Sequence, residues 1–466
     1  MEKEPEKING VLPDEAHPLN EEETEDIAEN IQGLVEQEHQ EKAVEILSQL
    51  HPADQGEVLD ELPVTTQQQL LEALPPENAA DILEHLDSDD IATITEGMES
   101  SVLSDILDEA DSDVKADILR QLPKDRSQVI LEEMEDISDA IPLLHYPDDS
   151  AGGRMVLEYV VVKDDATAAT ALDTLREQGP EVENVRSIFV IDIEAHLVGE
   201  LSLARLALSH PQTLVRNIMN LDIISVSSGT DQEECARIMQ RYDLVQLPVV
   251  NEEKQLVGVI QSEDVYDVVE EEATDDMYKL AGISGERVSG PLRVSMKNRL
   301  PWLSLNLVTT FLAALVISVF ESTIARVVTL AIFLPVVAGQ GGIGGTQTLT
   351  LVVRSMALGE ITRRGGIRLL GREALLGILH GVILGVAVGV VAYLWKGNYM
   401  LGVVLGLAMI GNMIIAGLTG AGIPLILTRL KVDPAVASAV IVTTCTDVIG
   451  FLLFLGLAAA LITYLL

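Results

Sequence analysis

The feature that most constrains this chain is its last apolar run, residues 434–466, which holds a single carboxylate, Asp447. A helix crosses a bilayer with roughly 20 apolar residues, so this run spans one with residues to spare. No Lys, Arg or His accompanies Asp447 there. An ionised group at that depth costs roughly several kcal/mol unless it faces a polar cavity or meets a cation. Thr443 and Thr444 precede Asp447 by one helical turn and Gly450 follows it by one, giving that face a small, polar stripe. Two readings follow: a pathway for a metal cation or proton, and a protonated Asp hydrogen-bonded to a neighbouring helix.

Four more apolar runs precede it, at about 302–320, 327–356, 374–395 and 400–427. Basic residues fall before the first (Arg293, Lys297, Arg299), after the second (Arg363, Arg364, Arg368, Arg372) and after the fourth (Arg429, Lys431). By the positive-inside rule, residues 1–300 are cytosolic and the C-terminus lies outside. Five spans are few for a transporter built of inverted repeats, so a pore shared between two identical subunits is expected. The second run is unusual, because Pro335 and five glycines between 339 and 345 should break or thin its helix near mid-membrane. Gln340, Thr346, Gln347 and Thr348, with Asn412 in the fourth run, are candidate polar groups near the pore. The competing reading is close packing of small residues.

Charge divides the chain sharply. Residues 301–466 hold 9 Lys or Arg and 5 Asp or Glu; of the totals of 30 and 73, residues 1–300 keep 21 and 68, a net of −47. Such a surface does not suit nucleic acid, which needs clustered positive charge, and does suit divalent cations. The first residues carry no apolar core of a secretory signal. Cys235 and Cys445 lie far apart and outside any CxxC, and the eight His are scattered, so neither a disulfide nor a zinc site is expected. No nucleophile–base pair or phosphate-binding glycine loop emerges, so no enzyme is expected.

Residues 1–24 read as a disordered acidic tail, followed by a helix over about 25–50. Leu50, Leu62, Leu74, Leu86, Met98, Ala110, Leu122, Met134 and Tyr146 then recur every 12 residues. Pro or Asp follows most of them, and an apolar pair such as Val58-Leu59 or Ile106-Leu107 comes eight and nine positions on. Each unit is therefore a short helix plus a turn, stacked as a solenoid. Asp81, Asp105 and Asp117 share one repeat position and are expected on outward faces, with Asp111 and Asp113 close by.

From about 154 a strand–helix–strand–strand–helix plan occurs twice, with matching pieces IFVID…LVGELS (from Ile188) and LPVVN…LVGVIQSED (from Leu247). These resemble a tandem of CBS domains, whose family often binds adenosine ribose near the last strand. Gln261, Ser262 and Asp264 fall at that place in the second repeat, whereas the first has Ser202 but Arg205 in place of the acid. Residues 264–281 read as an amphipathic helix crowded with Asp264, Asp267, Glu270, Glu271, Glu272, Asp275 and Asp276. Mg²⁺ suits such a face, since it takes one or two carboxylates and keeps most of its waters.

The order of parts resembles the MgtE family of magnesium transporters and channels over nearly the whole chain. The resemblance rests on YPDDSAGG from Tyr146, the CBS pair and EEEATDDMYKLAGISG from Glu270. It rests also on LPWLSLNL from Leu300, the 339–347 segment with ALGEI from Ala357, and DPAVAS…VTTCTDVIGFLLFLGLA from Asp433. It implies a multidomain chain: 1–24 tail, 25–153 all-α helical-repeat cytosolic domain, 154–263 α/β tandem CBS domains, 264–300 connecting (plug) helix and linker, 301–466 five-helix transmembrane domain. It implies a homodimeric Mg²⁺ channel of the cytoplasmic membrane, closed by cytosolic Mg²⁺, with Mg²⁺ as both cargo and regulator and ATP as a candidate ligand of the CBS pair. By motif, the transported ion falls to Asp447 and the cytosolic mouth to Asp433. Regulatory ions fall to Asp243, Asp264, Asp267, Glu272, Asp275 and Asp276, and to Asp81, Asp113 and Asp117. One departure stands out: Ile343 occupies a place where the family usually carries Asn. The alternatives are a secondary transporter coupling Na⁺ or H⁺ to Mg²⁺ or Co²⁺, and a nucleotide-sensing CBS protein that conducts an anion.

Overall fold

The structure, a computed structural model, describes residues 19–86, 88–135, 137–138, 140–178, 185, 187–283, 292–361, 365–436 and 439–466. Most of the expected acidic tail, together with Asp87, Arg363 and Arg364, lies outside the described residues. The chain forms two compact units, one ending at Val268 and the other Val269–Leu466.

The first unit opens with α1 (Glu21–Glu36), so residues 21–24 are helical rather than disordered. A capping box explains the start: the Asn20 side chain accepts from the Glu23 N–H while the Glu23 carboxylate accepts from the Asn20 N–H. The single helix expected over 25–50 is two, α1 and α2 (Gln40–Leu47), because residues 37–39 turn, with Glu38 at a left-handed φ of 62°. Then come α3 (Pro52–Asp60), α4 (Val64–Leu71), α5 (Pro76–Leu83), α6 (Ser88–Thr95), α7 (Ser100–Glu109), α8 (Ser112–Gln121), α9 (Lys124–Glu133) and the short α10 (Ala140–Leu143). From α3 to α9 every helix begins 12 residues after the last, and the apolar pairs Val58-Leu59, Ile82-Leu83, Ile106-Leu107 and Ile118-Leu119 are all buried. Alternate helices stack: α1 on α3, α3 on α5, α5 on α7 and α7 on α9 form one column, and α2, α4, α6, α8 and α10 the other. One turn of the solenoid is thus two units. Acids at one repeat position tie successive turns together, since Glu72, Glu84 and Asp108 accept from the backbone N–H of Glu99, Asp111 and Glu135, 27 residues later. Part of the acidity is therefore structural.

The duplicated module follows. The first copy is β1 (Val161–Lys163), α11 (Ala168–Gln178), β2 (Ser187–Ile191), β3 (Leu197–Ser202) and α12 (Leu203–Ala207). The second is β4 (Val226–Ser227), α13 (Gln232–Tyr242), β5 (Gln246–Val250), β6 (Leu256–Gln261) and α14 (Ser262–Ala281). Each sheet has three strands, the first pair parallel and the second antiparallel. The first strand of the second copy is regular only at Val226–Ser227.

The lead-in segments are exchanged. Val156, before the first copy, pairs with Val259 of β6 in the second through N–H···O bonds of 2.8 and 3.0 Å. Asn220, before the second copy, pairs with Glu200 of β3 in the first through bonds of 2.7 and 3.0 Å. Met155 fills the hollow over Gly258, and Met219 fills the equivalent hollow over Gly199. A Cβ at either glycine would collide with the thioether.

The second unit contains the C-terminal part of α14, then α15 (Leu292–Val319), α16 (Glu321–Arg326), α17 (Thr329–Ala357), α18 (Gly365–Lys396), α19 (Tyr399–Arg429), α20 (Ala439–Ala460) and α21 (Ile462–Leu465). Among the described residues, five helices are long and apolar enough to cross a membrane: α15, α17, α18, α19 and α20. The expected break in the second span is absent, for α17 runs unbroken through Pro335 and its glycines. Those glycines serve contact instead: a Cβ on Gly345 would lie 2.5 Å from Val442, and one on Gly342 would lie 3.2 Å from Thr443. Neighbouring helices support the backbone where the lone helix would bend. Helices α18 and α19 meet backbone to backbone along Gly377, Gly381, Gly385 and Gly389, one turn apart, against Met413, Ile410, Gly406 and Gly402.

Candidate functional site

Helices α17 and α20 leave between them a groove of about 960 Å³. Helical spacing explains its walls. Gly339, Ile343, Thr346, Gln347, Thr350 and Arg354 form one stripe of α17, and Thr443 and Asp447, four residues apart, form the α20 side. Among the described residues Asp447 has no hydrogen bond or ion pair, so its carboxylate faces the groove without a protein counter-ion. The Thr443 hydroxyl donates to the Ala439 carbonyl at 2.8 Å. Its oxygen is left to accept, as the waters around a cation require.

The polar stripe expected around Asp447 is narrower than its spacing implied. Gly450 is buried against Asn412 of α19. Asn412 itself does not line the groove: it is fully buried and donates to the Val337 carbonyl at 2.8 Å. Thr348 also faces away, while Thr346 and Gln347 do line it. Ile343 lines the groove and is 58% exposed, so the departure from the family pattern falls on the groove wall.

Near the end of α14, Lys279 joins two of the expected ligands. Its ammonium lies 2.5 Å from an Asp275 oxygen and 2.7 Å from an Asp433 oxygen. The other Asp433 oxygen accepts from the Ala435 N–H at 2.8 Å and caps the short turn Pro434–Val436. Burial works against the charged lysine, yet the two carboxylates hold its pKa above the usual range. Asp276 is pushed up to about 6, first by burial and then by the Asp433 charge, with Lys279 opposing. Leu280 anchors this end of the helix among Leu349, Val353, Ala435 and Val442.

In the first unit the acids fall into two sets. Asp113 has its pKa raised well above the usual carboxylate range by burial, then by Asp264 and Asp111. Asp264, at the start of α14, accepts from the Gln261 N–H at 3.1 Å. Asp117 corrects the outward-face expectation. It is half-buried, because α8 packs its C-terminal turn under the 143–154 segment. Arg120 binds Asp117 and Asp148, each at 2.8 Å, and the Leu143 carbonyl, with Arg154 3.9 Å from Asp117. Burial and the Asp148 charge still push Asp117 up to about 7. Asp81, Asp105 and Asp267 are exposed; Glu272, in the second unit, is half-buried. Asp243 is exposed and takes a left-handed φ of 51° as the C-cap of α13, a conformation Asp tolerates. Among the described residues, no three His, Cys, Asp or Glu converge closely enough to hold a bare metal ion.

Sequence reasoning missed Glu373. It sits in the third turn of α18, almost wholly buried, with its carboxylate accepting from Thr348 of α17 and from Arg372, each at 3.2 Å. Its neighbour Arg372 placed it in the basic loop, so only tertiary packing reveals its burial.

Comparison with known proteins agrees with this layout. The profile of the MgtE divalent cation transporter family matches residues 334–457, that of the MgtE intracellular N domain residues 50–149, and that of the CBS domain residues 215–271. The magnesium transporter MgtE of Bacillus subtilis (strain 168) is 37% identical over 322 residues, 69% of this chain and 71% of the relative. The magnesium transporter MgtE of Thermus thermophilus is 37% identical over 324 residues, 69% and 72% of the two chains. A crystal structure of the cytosolic domain of the Mg²⁺ channel MgtE in complex with ATP covers 52% of this chain and 99% of its own, at 35% identity and a TM-score of 0.48. With a helical N domain, a CBS pair and five membrane-spanning helices in this order, the chain belongs to the MgtE family, a family of multi-pass divalent cation transporters and not of enzymes.

Proposed function

We propose that this protein is a magnesium channel of the cytoplasmic membrane that takes up Mg²⁺ and is closed by cytosolic Mg²⁺. The observation that carries the reading is Asp447, a carboxylate facing the α17–α20 groove with no protein counter-ion among the described residues. Mg²⁺ dehydrates reluctantly. A carboxylate and threonine oxygens reaching its waters select the ion without stripping them. The groove is open along one side, where Ile343 and Leu351 are more than half exposed, and a second copy of the chain closing it into a pore supports a homodimer. The basic loops support cytosolic N-terminal domains and an outside C-terminus.

Closure is assigned to acids that repel when no ion is present. Asp113 faces the like charge of Asp264, and Asp276 that of Asp433, and burial already makes Asp113 and Asp276 costly to ionise. Hydrated Mg²⁺ bridging such pairs stabilises the packed form, and a ligand shifts an equilibrium only through that preference. Asp243, Asp267, Glu272, Asp275, Asp81 and Asp117 are assigned weaker shares in the same field. An adenine nucleotide in the CBS pair is assigned to the 261–264 segment at the end of β6.

The test is Mg²⁺ flux into liposomes, wild type against Asp447→Asn, with cytosolic-side Mg²⁺ varied. The reading expects wild-type flux that falls as cytosolic-side Mg²⁺ rises and persists without any Na⁺ or H⁺ gradient, and no flux in the variant. Flux that needs such a gradient favours a coupled secondary transporter. A fully active Asp447→Asn removes the reading altogether.

A further inference from the structure

Helix α17 supplies most of the groove wall; buried apolar side chains seat its two ends, Leu330, Phe333 and Val337 at one and Leu349, Val352 and Val353 at the other, while the segment between them carries no large buried side chain. Of its five glycines between 339 and 345, four (Gly341, Gly342, Gly344 and Gly345) leave it smooth where it meets α19 and α20. Each residue step along a helix is about 100° of rotation, so a modest turn would carry Thr346, Gln347 and Thr350 out of the groove. Two polar contacts, one buried and one partly buried, lie on its far side. At one, the Asn412 amide of α19 sits between Gly341 and Gly450 and donates to the Val337 carbonyl at 2.8 Å. At the other, Glu373 of α18 accepts from Thr348 at 3.2 Å. Gly417 and Gly420 of α19 make room there, for a Cβ on the first would lie 2.6 Å from the Glu373 carbonyl oxygen, and one on the second 2.8 Å from the Thr348 Cβ.

Apolar side chains of the same size would fill both places without the cost of burying polar atoms. That cost is visible at Asn412, whose Oδ1 is buried with no partner among the described residues. Across the glycine-rich middle, directional bonds add to the apolar packing of the two ends a more narrowly defined rotation. The contacts are 11 residues apart on α17, about three turns, and between them lies the part of the stripe from Gly339 to Gln347, with Thr350 following within one turn.

We propose that Asn412 and Glu373 are positioning residues, two polar ties that hold α17 in the rotation presenting Thr346, Gln347 and Thr350 to Asp447. They touch no ion in the groove; they set its wall. Losing a tie leaves the helix in place but lets its facing vary, so discrimination between ions suffers before folding does.

This rests on the groove being the ion path, and the test separates the two. In a background with Cys235 and Cys445 replaced by Ala, single cysteines are placed at Gln347, in the groove wall, and at Leu349, on the buried face. Their reaction rates with a small water-soluble thiol reagent are then compared. The ties are altered by Thr348→Val, Glu373→Met and Asn412→Leu, each near-isosteric, with Glu373→Gln as the variant that keeps size and an acceptor. We expect a large rate contrast between the two positions that shrinks severalfold in the first three variants and survives in Glu373→Gln. The Mg²⁺-to-Na⁺ flux ratio should fall in parallel while the size-exclusion profile holds. An unchanged rate contrast in folded Thr348→Val and Glu373→Met protein overturns the ties, whatever the flux does. An equal loss in Glu373→Gln reduces Glu373 to a structural charge and overturns its half of the proposal. A contrast that shrinks with no change in flux ratio leaves the ties standing and removes the groove from the ion path.

Discussion

The glycine column between α18 and α19 makes a prediction that can be worked from distances. A Cβ on Gly385 would lie 2.7 Å from the Gly406 carbonyl oxygen, where an ordinary carbon–oxygen contact needs about 3.3 Å. The obstacle is backbone on both sides, so no side chain can swing away. The helices would have to part by about 0.6 Å, loosening the neighbouring contacts at Gly381 and Gly389 as well. Overpacking of this kind costs about 1–3 kcal/mol, against which alanine returns about 1 kcal/mol of helix propensity. Gly371 lies on the same helix, where a Cβ would have nothing within 4 Å. There the propensity gain stands alone. Gly385→Ala should therefore be less stable than Gly371→Ala by about 1–3 kcal/mol, and Gly385→Val less stable still. The assay is thermal unfolding of the full chain in one detergent, followed by the surviving size-exclusion peak, with the three variants and wild type side by side. Equal midpoints for Gly385→Ala and Gly371→Ala would refute the claim that backbone contact holds this hairpin.

Two further outcomes follow from the charged clusters. Asp276 has a folded pKa of about 6 against an ordinary value of 3.8, so the packed end of α14 is most stable with the acid protonated and loses stability as pH rises through about 6. In Mg²⁺-free buffer, protease cleavage within α14 should increase from pH 5.5 to 7.5, and Asp276→Asn should flatten that rise; a slope unchanged in the variant assigns it to another group. Arg120→Gln removes the cation shared by Asp117 and Asp148 and a donor to the Leu143 carbonyl. It should destabilise the first unit by about 3 kcal/mol, read as faster hydrogen exchange in α8 and residues 143–154 of the full chain, with the spans unaffected.

Much of the architecture could be read from residue spacing, and the exceptions have physical causes. The 12-residue period located every helix from α3 to α9 because each unit buries the same apolar pair. It did not show that alternate helices stack, since a period says where units begin and not which faces meet. Pro335 and its glycines were expected to break α17 from propensities that describe a solvated helix. Packed against α19 and α20, the same residues permit close approach and the helix continues. Asp447 was legible because an acid in an apolar run is conspicuous on its own. Glu373 was not, because Arg372 beside it makes the pair look like the edge of a loop. Asn412 was noticed but misplaced, since polarity in a span does not tell which neighbour it meets. Lys279 escaped notice as one cation in a long acidic helix, and only folding brings it to Asp433.

The crossed lead-in segments of the CBS pair bear on where this chain can be cut. A boundary drawn at residue 154 or 158 looks natural by composition, but Met155 and Val156 belong to the second copy's sheet and core. A fragment trimmed to begin at Tyr159 would uncover one side of β6 and empty the hollow over Gly258. Bare strand margins recruit other strands, so such a fragment would be expected to clump, whereas one starting a few residues before Ser150 would stay dispersed.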